Sequence, residues 1–167
     1  MNSDSPKKNE DLTVTLTVEA TPEQVFRAIN DVRGWWSGEL EGPTDQLGGE
    51  FTYRYQSFHY SKQRVTELVP GKRVVWLVLD SSLEFVADKH EWNGTRVTFD
   101  IERIGDRTQV RFTHVGLLPA NECYGACSRA WTSYITGSLR SLITTGKGQP
   151  NPNEARQPVA APAVTRA

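Results

Sequence analysis

Polar and apolar residues alternate strictly from Leu12 to Val18, which places Leu12, Val14, Leu16 and Val18 on one face of a strand. Thr21-Pro22-Glu23-Gln24 then reads as a helix start. Thr21 suits the N-cap, Pro22 the first helical position, and Gln24 completes a capping box. Val25, Phe26 and Ile29 supply the apolar stripe; Gly34 is expected to end this helix and Trp35-Trp36 to open a second short one. Past Gly42-Pro43 and Gly48-Gly49 the period falls to two. Phe51, Tyr53 and Tyr55 share one strand face, and a return strand runs from about Tyr60 to Val69, closed by Pro70-Gly71. The unbroken run from Arg73 to Leu79 suits a central strand covered on both faces. Residues 81–92 show no clear period. Asn93-Gly94 marks a tight turn, after which Val97, Phe99 and Ile101 alternate. Gly105-Asp106 turns the chain into Val110, Phe112 and His114. From about Pro119-Ala120 onward, Cys123, Cys127, Ala130, Trp131, Tyr134, Ile135, Ser138, Leu139, Leu142 and Ile143 follow the spacing of one helix face. Gly146 stands where a left-handed helix end is expected.

This order predicts an α+β fold. A curved antiparallel sheet wraps around a long C-terminal helix, and two short helices follow the first strand. Burying the helix stripe closes the core, and a helix gripped by a curved sheet favours an internal cavity suited to a small ligand. Residues 1–11 lack a periodic pattern and read as a flexible arm; residues 12–146 form the domain. Residues 147–167 carry Pro150, Pro152, Pro158 and Pro162 and no aromatic residue, so they read as a disordered Pro/Ala-rich tail whose removal at Gly148 leaves the fold unchanged.

Composition narrows the function classes. The 167 residues are 37% hydrophobic and 10% aromatic, which fits one domain. Nineteen basic and twenty acidic residues leave a formal charge of −1, too weak a field to drive binding to nucleic acid or an anionic membrane. No run approaches the roughly 18 consecutive apolar residues of a spanning helix, and the first residues lack the apolar region of a secretory signal. A cytoplasmic location is the expectation. Two cysteines build no disulfide framework. Dinucleotide fingerprints, phosphate loops, HExxH pairs and GxSxG elbows do not occur, and no cofactor is expected.

Taken in order, TPEQVFRAI, GWW at 34–36, GGEFTYRY, VPGKRVVW, EWNGTRVTFDI, TQVRFTHVGL and the terminal WxxYxxxSLxxL resemble the START-like, helix-grip (SRPBCC) superfamily. Within it, they are similar to the branch of the C-terminal domain of the activator of heat-shock protein 90 ATPase. The resemblance spans about residues 12–146 and implies a helix-grip fold. It brings two expectations: a module that holds a small apolar or aromatic ligand between sheet and helix, or a chaperone-activator-like interaction domain in a stress response. It carries over no catalytic set. A cyclase, dehydratase or hydrolase using His114 ranks third.

The expected ligand-binding residues are Trp76, Phe112, His114, Cys123, Cys127, Trp131 and Tyr134. Aromatic rings would hold a flat apolar molecule, or fill the space themselves. His114 shares the inward parity of Val110 and Phe112, as a hydrogen-bond anchor or as a histidine tied to its own neighbours. Cys123 and Cys127, four apart on one helix face, read as packed thiols. With His114 they would supply three soft metal ligands, but the spacing is unusual for zinc and a fourth ligand is missing. The trio is expected to border one pocket.

Overall fold

The computed structural model describes residues 10–151. Six strands form one antiparallel sheet: β1 (Leu12–Val18), β2 (Glu50–Tyr55), β3 (His59–Val69), β4 (Arg73–Leu83), β5 (Arg96–Ile104) and β6 (Arg107–Val115). The spatial order is β1-β6-β5-β4-β3-β2. Successive strands from β2 to β6 pair as hairpins, while β1 pairs with β6 in the register Leu12↔His114, Val14↔Phe112, Leu16↔Val110. The chain must therefore cross from one edge to the other after β1, and α1 (Pro22–Asn30) and α2 (Val32–Trp35) make that crossing.

Local chemistry sets these elements as expected at both ends. The Thr21 hydroxyl accepts from the Gln24 N–H while the Gln24 side chain accepts from the Thr21 N–H, so the capping box is complete. Gly146 takes the left-handed conformation at φ 85° and ends the last helix. Gly34 lies inside α2 rather than ending α1. A side chain there would collide with the Asp31 carboxylate and press on Leu142, so the glycine serves close packing.

The C-terminal rod of 22 residues starts at Tyr124, slightly later than Pro119-Ala120. It comprises α3 (Tyr124–Ser133), a π-helical turn (Tyr134–Leu139) and α4 (Arg140–Thr145). The segment without clear period anchors its start. Both oxygens of the Glu91 carboxylate accept backbone N–H groups, from Glu122 at 2.7 Å and Cys123 at 3.0 Å. Those donors have no intrahelical partner, so Glu91 acts as a cap delivered from the loop between β4 and β5. That loop also places Trp92 in the core.

The expected tail divides. Residues 147–151 lie back against the domain, with Gln149 and Asn151 hydrogen-bonded to Ser138 and Trp36, so the ordered chain passes the boundary at 146. Residues 152–167, like most of the arm at 1–9, fall outside the described residues. Among the described residues no helix is long and apolar enough to cross a membrane.

The core joins the inner sheet face to the rod. Leu16, Val74, Trp76, Phe99, Val110 and Phe112 from the sheet meet Trp131, Ile135 and Leu139 from the rod, all nearly inaccessible to solvent. Trp131 is the central knob of that contact. Its replacement by alanine is expected to lower unfolding free energy by about 3–5 kcal/mol in urea denaturation; a loss under about 1 kcal/mol contradicts this packing.

Candidate functional site

All five tryptophans converge between sheet and rod. Trp36 stacks on Tyr53 at 4.1 Å between ring centroids and on Trp76 at 5.8 Å, with Trp131 tilted against it at 4.9 Å. Trp35 stacks beside both Trp36 and Trp76. On the other side Trp131 stacks with Trp92 at 5.9 Å and presses on Phe112 at 4.7 Å. Edge-to-face and offset contacts of this kind contribute beyond area burial.

One wall of this interior is polar. Residues i, i+2 and i+4 of β3 face the core, and there they are His59, Ser61 and Gln63. Their flanks come from pairing partners: Tyr55, Tyr53 and Phe51 on β2, and Leu83, Ser81 and Val78 on β4. His59 Nε2, Ser61 Oγ and Gln63 Oε1 are shut from solvent with no hydrogen-bond partner in the protein. The indole N–H groups of Trp76 and Trp92 share that condition, although the Cys127 thiol lies beside Trp92. Each such group carries a desolvation cost of about 1–3 kcal/mol. The inner face of β3 is therefore a column of donors and acceptors walled by aromatic rings.

His114 is different. Its Nδ1 accepts from the Trp131 indole N–H at 3.1 Å, which fixes the tautomer with the proton on Nε2. Nε2–H then donates to Thr95 Oγ1 at 2.9 Å, and Thr95 donates to the Trp92 carbonyl at 2.6 Å. Both ring nitrogens are consumed within the fold, and this relay fastens β6, the rod and the Trp92 loop together. No lone pair or proton is left for acid–base work on a substrate.

The remaining expected residues take these places. Trp76, Phe112 and Trp131 are buried together, and Tyr134 is partly buried at the start of the π turn. Cys123 and Cys127 are free, buried thiols. Hydrogen bonding to Cys123, then burial, pushes the Cys127 thiol up, so it is no thiolate nucleophile. Trp92 lies beside the Cys127 thiol and packs on the His114 imidazole at 4.7 Å. Among the described residues no group of three His, Cys, Asp or Glu side chains is placed to hold a metal ion.

His59, Ser61, Gln63 and Trp92 were missing from the expected site. The sequence does hold a signal for the first three. In HYSKQR, uncharged polar residues alternate with Lys62 and Arg64, and the charged positions must face water. Trp92 carries none, because its loop has no period. A shallow hollow of about 150 Å³, lined by Glu39, Glu41, Thr52, Arg54 and Gln56, lies on the opposite, outer face of β2.

The sequence profile described as activator of Hsp90 ATPase homolog 1-like protein matches residues 19–144. No curated protein matches the chain significantly. Among solved structures, the chain is similar to the Aha1 dimer from Colwellia psychrerythraea, at 24% identity and TM-score 0.67, covering 83% of this chain and 99% of that one. It is also similar to Mll3558 from Rhizobium loti, at 16% identity and TM-score 0.60, covering 75% and 92%. CalU16 from Micromonospora echinospora follows at 16% identity and TM-score 0.58, covering 83% and 76%. These likenesses show the shared fold.

Burial holds the His59 and His114 imidazoles neutral, lowering both from 6.5 to about 3. In the unfolded chain each takes a proton near pH 6.5. Their contribution is therefore complete above pH 6.5 and is lost as pH falls from there toward 3. Between pH 6.5 and 5, urea denaturation should show stability falling with a slope approaching about 1.4 kcal/mol per pH unit for each histidine. His59→Phe is expected to remove one of the two contributions; an unchanged slope in that variant contradicts the assignment.

Proposed function

Because the chain belongs to the activator of Hsp90 ATPase homolog 1-like family of the START-like (SRPBCC) superfamily, we propose that it is a binding module for a small, flat aromatic molecule carrying polar atoms on one edge. The observation that carries this reading is the column His59, Ser61 and Gln63, whose buried Nε2, Oγ and Oε1 atoms are left unpartnered on one aromatic-walled face. A core selected for stability alone would carry apolar residues there, since apolar side chains of similar shape avoid the desolvation cost. An aromatic body would contact the rings of Trp36, Trp92 and Trp131, while its polar edge would pair with the column.

Intrinsic fluorescence gives a direct test, since the tryptophans lie in one cluster. Titration with a library of planar heteroaromatic compounds should produce saturable changes, confirmed as one-to-one complexes by native mass spectrometry. Ser61→Ala is expected to move stability and binding in opposite directions: unfolding free energy rises by up to about 1 kcal/mol, while affinity for the hits falls. A Ser61→Ala variant that loses stability shows that the hydroxyl is structural.

A second reading draws on one surface feature. Phe58 and Phe85 are 49% and 44% exposed, and the Glu84 N–H donates to the Phe58 carbonyl, so the two rings flank the same end of the sheet. In a family named for chaperone activation, this apolar pair is the surface that would meet Hsp90. A higher Hsp90 ATPase rate with the wild-type chain, lost in Phe58→Ser/Phe85→Ser, supports it; an unchanged rate rejects it.

A further inference from the structure

The chain folds a piece of itself over the site described above. After Gly146 the backbone turns back, and the Ser141 hydroxyl donates to the Lys147 carbonyl at 2.6 Å. Gly148 then passes through a gap between α2 and the π turn. A Cβ there would stand 2.2 Å from the Gly34 carbonyl oxygen and 3.1 Å from that of Ser138, so only glycine passes. Ser138 joins both sides of the gap: its hydroxyl donates to the Trp35 carbonyl and accepts from the Gln149 N–H, each at 2.7 Å. Asn151 lies parallel to the chain beyond α2, with its N–H on the Trp36 carbonyl at 3.0 Å and its own carbonyl accepting from Gly38 at 3.1 Å.

The Asn151 side chain points inward. Its Nδ2 donates to Tyr53 Oη at 3.0 Å and to Tyr134 Oη at 2.6 Å, bridging phenols whose oxygens are 3.4 Å apart. Tyr53 stacks on Trp36, and its partner Ser61 belongs to the polar column. Burial pushes the pKa of both phenols up, so they remain neutral hydroxyls. Two neutral phenol oxygens from the sheet and from the π turn thus form a clip that closes on one N–H₂ group. The π turn begins at Tyr134 itself, and such turns recur at functional positions.

We propose that the Lys147–Asn151 strap is a built-in occupant of this site's mouth, and that the Asn151 carboxamide holds the place of a primary carboxamide on the ligand, between Tyr53 and Tyr134. This rests on the ligand-binding reading above and adds a competitor and a chemical class to it. Binding requires the strap to leave, so observed affinity is reduced by the fraction of molecules in which the strap is docked.

The test uses the full chain, with 2-naphthamide as probe and methyl 2-naphthoate, which lacks the N–H₂ group, as control. Gly148→Ala denies the strap its passage without touching the clip; Asn151→Ala removes the plug alone. Calorimetric titration should show 2-naphthamide binding about tenfold or more tightly to both variants than to the wild-type chain, with a smaller gain for the ester. Tyr134→Phe in the Gly148→Ala background should abolish the preference for the amide. Equal affinity in the wild-type chain and both variants overturns the strap as competitor and leaves the binding module standing. A gain in Gly148→Ala without one in Asn151→Ala, or an equal gain for the ester, overturns the carboxamide assignment. If the released variants bind aromatic hits from the fluorescence library but not 2-naphthamide, this inference fails alone; if they bind neither, both readings fail.

Discussion

The hydrogen bond from the Trp131 indole to His114 Nδ1 is the constraint around which the interior is arranged. It fixes the rod's rotation over the sheet, because an indole N–H and an imidazole lone pair meet only in a narrow geometry. It also fixes the imidazole tautomer, and through Thr95 it reaches the Trp92 carbonyl. With the rod and the Trp92 loop locked to β6, Trp92 stacks on Trp131 and Trp36 leans against it from the other side. A residue that resembles a catalytic base in a strand pattern is here the pin of the fold. Its neutrality, imposed by burial, is a condition of that role.

Most of the architecture was legible in the chain because it depends on local periodicity. Strict alternation located β1, β5 and β6, the capping box located α1, and the i, i+3, i+4 stripe located the rod with Trp131 at its centre. Three features resist that kind of reading. The loop holding Glu91 and Trp92 has no period, since one residue caps a helix distant in sequence while the next fills the core. The π turn is not marked in the i, i+3, i+4 stripe, although beyond it α4 fully buries none of its residues. The strap is ordered by Gly148 and Asn151 rather than by apolar residues, and its composition resembles that of a free tail. For the site, the rings were legible as candidates, whereas the polar column was passed over. It emerges only when the uncharged positions of β3 are separated from Lys62 and Arg64.

The interior thus combines two kinds of polar group. His114, Ser138 and Ser81 have partners and tie elements together. His59, Ser61 and Gln63 have polar atoms without partners and work against stability. A domain of this size has a total stability of only about 5–15 kcal/mol, so three such costs form a substantial fraction of it. The aromatic cluster supplies the compensating burial. Under the proposed binding role, function and folding would draw on the same few rings, so substitutions among them would not separate the two, whereas substitutions along β3 would.

The pairing of β1 with β6 gives the chain a definite order of assembly. Strands β2 to β6 are consecutive hairpins and close from short-range contacts, but β1 must wait for β6, and the aromatic inner face must wait for the rod that follows it. During synthesis, four of the five tryptophans emerge before Trp131, the ring that packs on Trp36 and Trp92. For that interval the nascent chain presents a curved sheet with an open aromatic face, the kind of surface that promotes association between incomplete chains. The last helix thereby converts an adhesive intermediate into a closed domain, and loss of the final segment leaves the chain held in its most aggregation-prone form.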